Sequence, residues 1–355
     1  MSTSFKYLTP GIIAASAAVT VAYAWYCYRN RDRIPAKWKL IGYVDKIAIY
    51  PIKSGNYREL EAAECTELGL KEIQDGEQSG KHIFRDREFL IYNVKEKEVL
   101  RLIKTKKAVL ISAFSTDENT VTFQAPNVPD YELNLPSVIE NAKRVEIGRY
   151  GFPIETIDCG DEAARWVSNY LTSGKNEDEF RMGFYVENVT KRTNVVELMS
   201  SQSKKFLSVY KHMRQSDGGL YAWITSYLVT NKSSFDEIND CLAEEDKANI
   251  YNFRPNIIVK GCDPFVEDEW KWIKFGNDVV MRYFKPCTRC TVTTINPDTG
   301  EINKNLEPFR MLKKCRKVKD VKGYDLQGDL PVFGANMGLY VPGRLKVGDP
   351  VYEGV

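Results

Sequence analysis

The sequence predicts an α+β protein that is rich in β-strands, with a β-rich domain, a second domain forming a partly closed β-barrel, and a single membrane-spanning helix ahead of both. Three observations support this. An uncharged segment lies near the N-terminus, short runs of β-branched and aromatic residues alternate with Gly-, Asn- and Asp-containing turns, and few helical segments lie between them. Beyond the first 40 residues about 315 remain, which at roughly 150 residues per domain suggests two domains.

The N-terminal segment divides into a short lead at 1–9, a transmembrane signal-anchor at 10–28 and a basic linker at 29–40. As a helix, 10–28 would rise about 28 Å, close to the thickness of a hydrocarbon core. Aromatic residues crowd its C-terminal end and basic residues follow, so the positive-inside rule places the rest of the chain in the cytosol. A cleaved signal peptide is the alternative, because Ala22-Tyr23-Ala24 offers a cleavage site.

Composition excludes several classes of function. Lysine and arginine total 50 against 48 acidic residues, so the basic excess of a nucleic-acid-binding protein is missing. Eight cysteines are scattered along a long chain, which indicates a reducing compartment rather than a disulfide framework. With only two histidines, a zinc hydrolase or a Ser-His-Asp triad is disfavoured. Chemistry must come mainly from cysteine, cations or a bound cofactor.

The first domain is expected at 41–172 and the second at 173–355. A helix beginning near Asp158 to Glu162 and capped by Asp158 or Asp161 joins the two halves. A second capped helix is predicted at 233–242, with acids in its first turn, and a third near 308–314. The predicted strands are 44–50, 88–94, 108–114, 120–124, 145–148, 256–260, 279–284, 291–295 and 344–352.

Cys290 is the most informative residue, since it follows a predicted strand and stands beside Arg289, whose guanidinium would stabilise a thiolate. A thiolate is a soft ligand for a polarizable metal. Taken alone, such a cysteine is more often a small buried hydrophobic residue. Together with Cys287 it could also be a redox dithiol or half of a zinc site, but no second C-x-x-C pair follows.

The string Cys-x-Arg-Cys-x-x-x-Thr-x-x-Pro-Asp-Thr-Gly at 287–300 resembles the MOSC family of molybdenum-cofactor proteins, and within it the mitochondrial amidoxime-reducing components. Asn-Phe-Arg-Pro-Asn at 252–256 and Val-Gly-Asp-Pro-Val at 347–351 extend the resemblance over nearly the whole body of the chain. It implies a MOSC-type N-terminal β domain, a MOSC barrel, and Cys290 as the catalytic residue and molybdenum ligand. Cys287 is not required of the ligand and is expected to be structural.

The resemblance also implies residues that hold the anionic cofactor, the molybdenum-molybdopterin group. An anionic pterin phosphate needs cations and hydroxyl or backbone donors. Two departures are visible: Gly55 stands where the family commonly has cysteine, and residues 101–104 replace an Arg-Gln stretch, so no family role is carried to Arg101. The implied cofactor-binding residues are Lys53, Ser54, Arg87, Thr225, Ser226, Arg254, Thr288 and Arg289.

The implied activity is reduction of N-hydroxylated compounds, such as amidoximes and hydroxylamines, to amidines or amines. The resemblance further implies cytochrome b5 and its NADH-dependent reductase as electron donors, and the mitochondrial outer membrane as the location. No ferredoxin-type set of four cysteines is present, so electrons must come from a partner. One rival is a sulfur carrier of molybdenum-cofactor metabolism, which lacks here the PLP-binding half of the sulfurases. A non-enzymatic membrane tether is another.

A basic run at 313–319 has five cations in seven residues. Such a run is usually a solvated loop. Its functional interpretation is a docking patch for an acidic redox partner or for anionic lipid.

Overall fold

The computed structural model describes residues 32–74, 76, 79–176, 179–317 and 328–355. Within them no helix is both long and apolar enough to cross a membrane. The predicted membrane-spanning helix at 10–28 lies outside the described residues, as do the lead and the first residues of the linker. The strands are β1 (Trp38–Ile49), β2 (Arg58–Leu60), β3 (Ala62–Thr66), β4 (Gly69–Glu72), β5 (Phe89–Asn93), β6 (Glu98–Val99), β7 (Ser112–Phe114), β8 (Thr120–Gln124), β9 (Tyr131–Asn134), β10 (Arg144–Arg149), β11 (Phe152–Asp158), β12 (Phe180–Phe184), β13 (Tyr227–Asn231), β14 (Ile257–Lys260), β15 (Trp272–Phe275), β16 (Val279–Thr288), β17 (Val332–Val341), β18 (Gly343–Lys346) and β19 (Pro350–Gly354). The α-helices are α1 (Leu135–Asn141), α2 (Asp161–Thr172), α3 (Val195–Gln202), α4 (Phe206–Val209), α5 (Lys232–Asp240) and α6 (Phe309–Cys315).

The larger sheet has the strand order β14-β13-β17-β16-β15-β19-β1-β2, and β14 also pairs with β1, which closes the sheet on itself. The long strand β1 makes this closure possible. It pairs with β19 along its first half and with β14 and β2 along its second. Irregularities between Leu40 and Gly42 and between Val44 and Lys46 bend β1 from one partner to the next, as β-bulges do.

A second, smaller closed barrel has the order β10-β11-β12-β5-β6. Two three-stranded sheets, β7-β8-β9 and β18-β3-β4, complete the β structure. Neither closed sheet stops at the predicted domain boundary at residue 172. β1 precedes the boundary but joins the larger sheet, and β12 follows the boundary but joins the smaller barrel. One hydrophobic core extends through both barrels and the β7-β8-β9 sheet. Within it, the fully buried rings of Phe89 in β5 and Phe123 in β8 meet edge to face, with their centroids 5.2 Å apart.

Most predicted elements are confirmed within about two residues at each end: the strands at 88–94, 120–124, 145–148 and 256–260, and the three helices. The strands at 44–50 and 279–284 exist but are longer than predicted, since β1 begins six residues earlier and β16 ends four residues later. The α+β, β-rich character with barrels is confirmed as well. The predicted strand 108–114 is wrong in its first half, because Lys106–Leu110 forms a 3₁₀ helix before β7. The closing strand at 344–352 is two strands, β18 and β19, separated by a turn in which Gly348 has a φ of 85°.

Two details of the helices are wrong. The N-cap of α2 is Gly160, which provides no side-chain cap, and the carboxylates of Asp158 and Asp161 instead accept hydrogen bonds from Arg181. Helix α5 is capped by Asn231 and has no acidic residue in its first turn. The acids near the start of α2 therefore bind the distant Arg181 instead of capping the helix, and in α5 the cap is the asparagine before the helix.

Candidate cofactor and active site

A cavity of about 570 Å³ lies where the two barrels meet. Its lining comes from the segment after β1, from β6 and the residues that follow it, from the β10–β11 hairpin, from the segments before β13 and β14, and from the end of β16. Among the described residues that line it, Glu98 is the only acidic one against seven lysines and arginines, so this lining is suited to an anionic ligand. The seven lining cations are Lys53, Arg87, Arg101, Arg149, Arg254, Lys285 and Arg289.

Lys53 and Ser54 enter the cavity in the turn that follows β1. The backbone N–H of Lys53 donates to the carbonyl of Phe89, and its ammonium donates to the carbonyl of Tyr221 at 2.7 Å. Ser54 has a φ of 73°, a left-handed conformation that non-glycine residues seldom adopt. Such backbone strain clusters at functional sites, where the surrounding fold has to hold it in place.

Arg87 and Arg254 share the ring of the buried Tyr50. Their guanidinium carbons lie 4.6 and 4.2 Å from its centroid, within the range of a cation–π interaction. Both arginines have left-handed backbones, with φ values of 55° and 54°. Arg87 donates to the carboxylate of Asp86, whereas Arg254 donates from Nη1 to the carbonyl of Gly55 at 2.8 Å.

The Asn-Phe-Arg-Pro-Asn segment positions the turn that carries Cys290. It ends a 3₁₀ helix at Ile250–Phe253 and places Arg254 in the cavity. Asn252 is buried and donates from Nδ2 to the carbonyl oxygens of Thr293 and Ile295, at 2.8 and 3.1 Å. These bonds fix Thr291–Thr294 as a 3₁₀ turn, so the strand predicted at 291–295 is wrong.

Cys290 precedes that turn and is exposed at the cavity. Arg289 before it is buried and uses its guanidinium on backbone carbonyls, donating to Phe253 at 2.8 Å and twice to Phe333, at 2.9 and 2.6 Å. Through these bonds Arg289 holds the backbone next to Cys290 in place. Cys287 lines the same cavity and is half-buried.

The predicted hydroxyl contacts divide into two groups. Thr225 and Thr288 line the cavity, and the Thr225 hydroxyl can donate its hydrogen either to the carbonyl of Tyr227 or to the amide oxygen of Asn336, at 3.0 and 3.2 Å. Ser226 is not part of the lining; its hydroxyl donates to the carbonyls of Glu67 and Asp217. Every other predicted cofactor-binding residue lies in the one cavity.

Burial sets the protonation of the cations. It holds the pKa of Lys53 well below its usual range, and the charges of Arg149, Arg87 and Arg254 lower it further. It also lowers the pKa of Arg149 and of Arg254 to about 10 and that of Lys285 to about 8. Desolvation and mutual repulsion both disfavour these charges, so an anion in the cavity would stabilise them.

Two buried guanidinium nitrogens point to the same kind of ligand. Arg254 Nη2 and Arg149 Nε have no hydrogen-bond partner within the part of the chain that the structure describes. Buried donors are normally paired. The donor set of the cavity therefore fits a multiply charged anion, and the exposed Cys290 thiol adds one soft metal ligand. Among the same described residues, no group of three or more His, Cys, Asp or Glu side chains could hold a metal ion.

Sequence reasoning missed Arg149, Lys285, Tyr150 and Trp223, all of which line the cavity. Arg149 ends β10 at a two-residue hairpin turn, and Lys285 lies within β16 before Cys287. The available signals were the positions of these residues: a cation at a strand end beside a hairpin turn, and a lysine that follows the hydrophobic Tyr283-Phe284 pair in a strand. Arg101, to which no role was assigned, also lines the cavity.

Comparison with known proteins decides the family. Residues 41–174 match the MOSC N-terminal beta barrel domain, and residues 220–352 match the MOSC domain. "Mitochondrial amidoxime-reducing component 1" of Mus musculus is 33% identical over 340 residues, which are 96% of this chain and 89% of the mouse protein. The chain belongs to the family of the mitochondrial amidoxime-reducing components.

Other amidoxime-reducing components show the same extent of similarity. "Mitochondrial amidoxime reducing component 2" of Bos taurus is 32% identical, over 88% of this chain and 83% of the bovine protein. "Mitochondrial amidoxime-reducing component 1" of Homo sapiens is 32% identical, over 95% and 89%. The two matched domains each supply part of the cavity: Lys53, Arg87 and Arg149 lie in the first, and Arg254 and Cys290 in the second.

Proposed function

We propose that this protein is a molybdenum-cofactor-dependent reductase that converts N-hydroxylated compounds, such as amidoximes and hydroxylamines, to amidines or amines. The observation that carries the proposal is the cavity between the two MOSC domains, where the exposed Cys290 thiol and seven cations line one space. The printed names of the relatives, amidoxime-reducing components, support the same activity. When bound, the cofactor supplies two-electron, oxygen-accepting redox chemistry that no side chain provides.

The chain's own residues would hold the cofactor by charge and by geometry. Cys290 would supply a thiolate to the metal. Lys53, Ser54, Arg87 and Arg254 would bind the pterin phosphate, with Arg254 Nη2 as a donor already buried and unpaired among the described residues. Thr225 and Thr288 would add hydroxyl contacts, Arg289 keeps the Cys290 turn in place, and Ser226 would act through its neighbours rather than by contact.

The reaction R–C(NH₂)=N–OH + 2e⁻ + 2H⁺ → R–C(NH₂)=NH + H₂O needs two protons at the substrate. Lys285 can hold one. It lines the cavity, is 1% exposed, and its Nζ donates to the carbonyl of Pro286 at 2.7 Å. Because burial lowers its pKa to about 8, its ammonium is a stronger acid than that of an exposed lysine.

Electron supply and location follow from the family and the N-terminal sequence. We propose cytochrome b5 and its NADH-dependent reductase as donors. The relatives' names place those proteins in mitochondria. The uncharged segment 10–28 and its basic flank support a single-pass anchor with the body facing the cytosol, and the outer membrane is proposed from the family resemblance alone.

The test is reconstitution of the full-length protein, produced in a host that makes the cofactor, with NADH, the reductase and cytochrome b5. Benzamidoxime should be reduced to benzamidine, measured by chromatography. Cys290→Ser should abolish turnover and Cys287→Ser should retain most of it, since only the former removes the soft ligand. Equal losses in the two variants would contradict the assignment and favour a dithiol mechanism.

A further inference from the structure

The cavity has an aromatic wall that the cofactor-binding residues do not explain. Tyr150 and Trp223 line it, and their rings meet edge to face with centroids 4.5 Å apart. Both are among the large apolar side chains that remain exposed, at 57% and 36%. Exposed aromatic surface in a cavity loses water on contact with a flat apolar group, which favours ligand binding.

The position of Tyr150 is held against its conformational preference. Tyr150 and Gly151 form a two-residue hairpin turn between β10 and β11, with φ values of 55° and 79°. Asn-Gly is the preferred pair for such a turn, and an aromatic residue there is uncommon. The carboxylate of Glu98 accepts hydrogen bonds from both backbone N–H groups, at 3.1 and 3.0 Å, and fixes the turn.

Two arginines support the aromatic wall. The Arg101 guanidinium lies 5.1 Å from the Tyr150 ring centroid, and that of Arg149 lies 5.9 Å from the Trp223 centroid. Arg149 is buried and donates to the carbonyl of Ala222 at 2.8 Å, which ties the hairpin to the segment that carries Trp223. Tyr150 belongs to the MOSC N-terminal beta barrel domain and Trp223 to the MOSC domain. The Arg149–Ala222 hydrogen bond and the ring contact hold the two side chains next to each other.

The aromatic wall and Cys290 line the same cavity, and the Cys290 thiol is exposed to it. Lys53, Arg87 and Arg254 lie elsewhere in the same lining, and none of them stacks on either ring. A substrate whose reacting group approaches Cys290 would therefore have Tyr150 and Trp223 available to its remaining part.

We infer that Tyr150 and Trp223 form a subsite for the aromatic ring of the substrate, and that they make this protein select aryl over alkyl N-hydroxylated compounds. The inference rests on the proposed function. A flat aryl group matches the wall because it can stack on an exposed ring face, whereas a short alkyl group offers little contact area. The two residues determine specificity and take no part in the chemical step.

The test compares benzamidoxime with acetamidoxime, which carry the same reacting group on an aryl and on a methyl carbon. Tyr150→Asn removes the ring and leaves Asn-Gly, the pair that the turn prefers, so the hairpin should persist. Trp223→Leu removes the other ring. Tyr43→Thr is the matched control, because Tyr43 is an exposed aromatic residue outside the cavity lining.

In each subsite variant, kcat/KM for benzamidoxime should fall about tenfold, in line with the worth of an aromatic pair, while that for acetamidoxime stays within about twofold. The Kd of benzamidoxime, measured by calorimetry without any electron donor, should weaken by a similar factor. The Tyr43→Thr control should match the parent in both measurements. Equal losses for the two substrates, or an unchanged ratio, would overturn the inference.

Two further outcomes separate this inference from others. If the parent reduces neither substrate, the proposed function fails, and the contrast in Kd between parent and variants still decides whether the subsite exists. If the variants lose turnover with cytochrome b5 but not with a small chemical reductant, the rings dock the electron donor and the subsite assignment is wrong.

Discussion

Asn252 donates a 2.8 Å hydrogen bond from Nδ2 to the carbonyl oxygen of Thr293, and this bond joins the Asn-Phe-Arg-Pro-Asn segment to the turn that begins at Cys290. The same Nδ2 group also reaches the carbonyl of Ile295. Two segments that are about 40 residues apart in sequence are therefore held as one unit. The first segment places the Arg254 guanidinium in the cavity, and the second places the Cys290 thiol there.

Asn252→Ala should leave two buried carbonyl groups unpaired and loosen the Cys290 turn. Unpaired buried polar groups cost about 1–3 kcal/mol each, so with two of them the free energy of unfolding should fall by about 2–6 kcal/mol. Benzamidoxime reduction should fall by more than the loss of folded protein explains. Urea denaturation and turnover per bound molybdenum measure the two effects.

The control for that variant is Asn141→Ala, since Asn141 Nδ2 donates to Ser137 within the same helix and on the surface. Asn141→Ala should have the same free energy of unfolding and the same turnover per bound molybdenum as the parent. An Asn252→Ala protein with unchanged turnover per molybdenum would show that the bond stabilises the fold without positioning Cys290.

Lys285 should make the stability of the cofactor-free protein depend on pH. Its pKa is about 8 when folded and near 10.5 when unfolded, so between these values the unfolded chain binds more protons and stability rises with pH. Below pH 8 the buried ammonium costs on the order of 3 kcal/mol at most. Lys285→Met should therefore stabilise the protein at pH 7, and this advantage should disappear towards pH 10.5.

Urea denaturation at pH 7 and at pH 10 measures the effect of Lys285→Met, with Lys271→Met as an exposed-lysine control. The neighbouring charges act in opposite directions, since Cys287 raises the pKa of Lys285 and Arg289 lowers it. A constant difference between Lys285→Met and parent at both pH values would show that Lys285 does not titrate in this range.

The basic run is smaller as a surface than its sequence predicts. Arg316 is 5% exposed and pairs at 2.9 Å with Asp268, whose side chain is half-buried, so it belongs to a partly buried ion pair rather than to a docking patch. Lys313 and Lys317 lie 3.3 and 3.5 Å from Asp329, which offsets part of their charge. Lys319 lies outside the described residues.

Replacing Lys313, Lys314 and Lys317 by Gln should lower kcat/KM for cytochrome b5 at low salt about two- to tenfold, because charge steering acts on the encounter rate. The loss should shrink at 0.1 M salt and above, where the screening length is about 10 Å. Steady-state kinetics over a salt series measures it. Turnover with a small chemical donor should not change.

Replacing Lys143, Lys204 and Lys205 by Gln is the control, since it removes three exposed lysines elsewhere. If both triple variants respond alike, net charge explains the effect and the run is an ordinary solvated loop. Arg316→Gln should instead destabilise the fold, by about 1–3 kcal/mol, because it removes the charged hydrogen bonds that the buried guanidinium donates to the half-buried carboxylate of Asp268.

The alternation of apolar and polar residues predicted those strands and helices that are formed by local preference and by burial of one face. The strand at 120–124 is one example, with Val121 and Phe123 inside. The motif strings also predicted Lys53, Arg87 and Arg254 as one group, although the sequence separates them by up to 200 residues. Their convergence rests on closure of the large sheet, in which β1 meets β14.

Residues fixed by distant partners could not be predicted. Residues 291–294, Thr-Val-Thr-Thr, have high β-propensity, but the hydrogen bonds from Asn252 hold them in a 3₁₀ turn. Arg149 and Lys285 carry no motif, and only the meeting of two barrels places them in the cavity. Tyr150 breaks a local rule of hairpin turns, and such violations are expected at functional positions.

The coordination of molybdenum by Cys290 is the central claim, and X-ray absorption at the molybdenum edge of the purified full-length protein tests it most directly. The parent and Cys287→Ser should show the same number of sulfur ligands, and Cys290→Ser should show one fewer, because a serine oxygen replaces the thiolate. Identical sulfur coordination in parent and Cys290→Ser, or a protein that binds zinc and no molybdenum, would contradict the account.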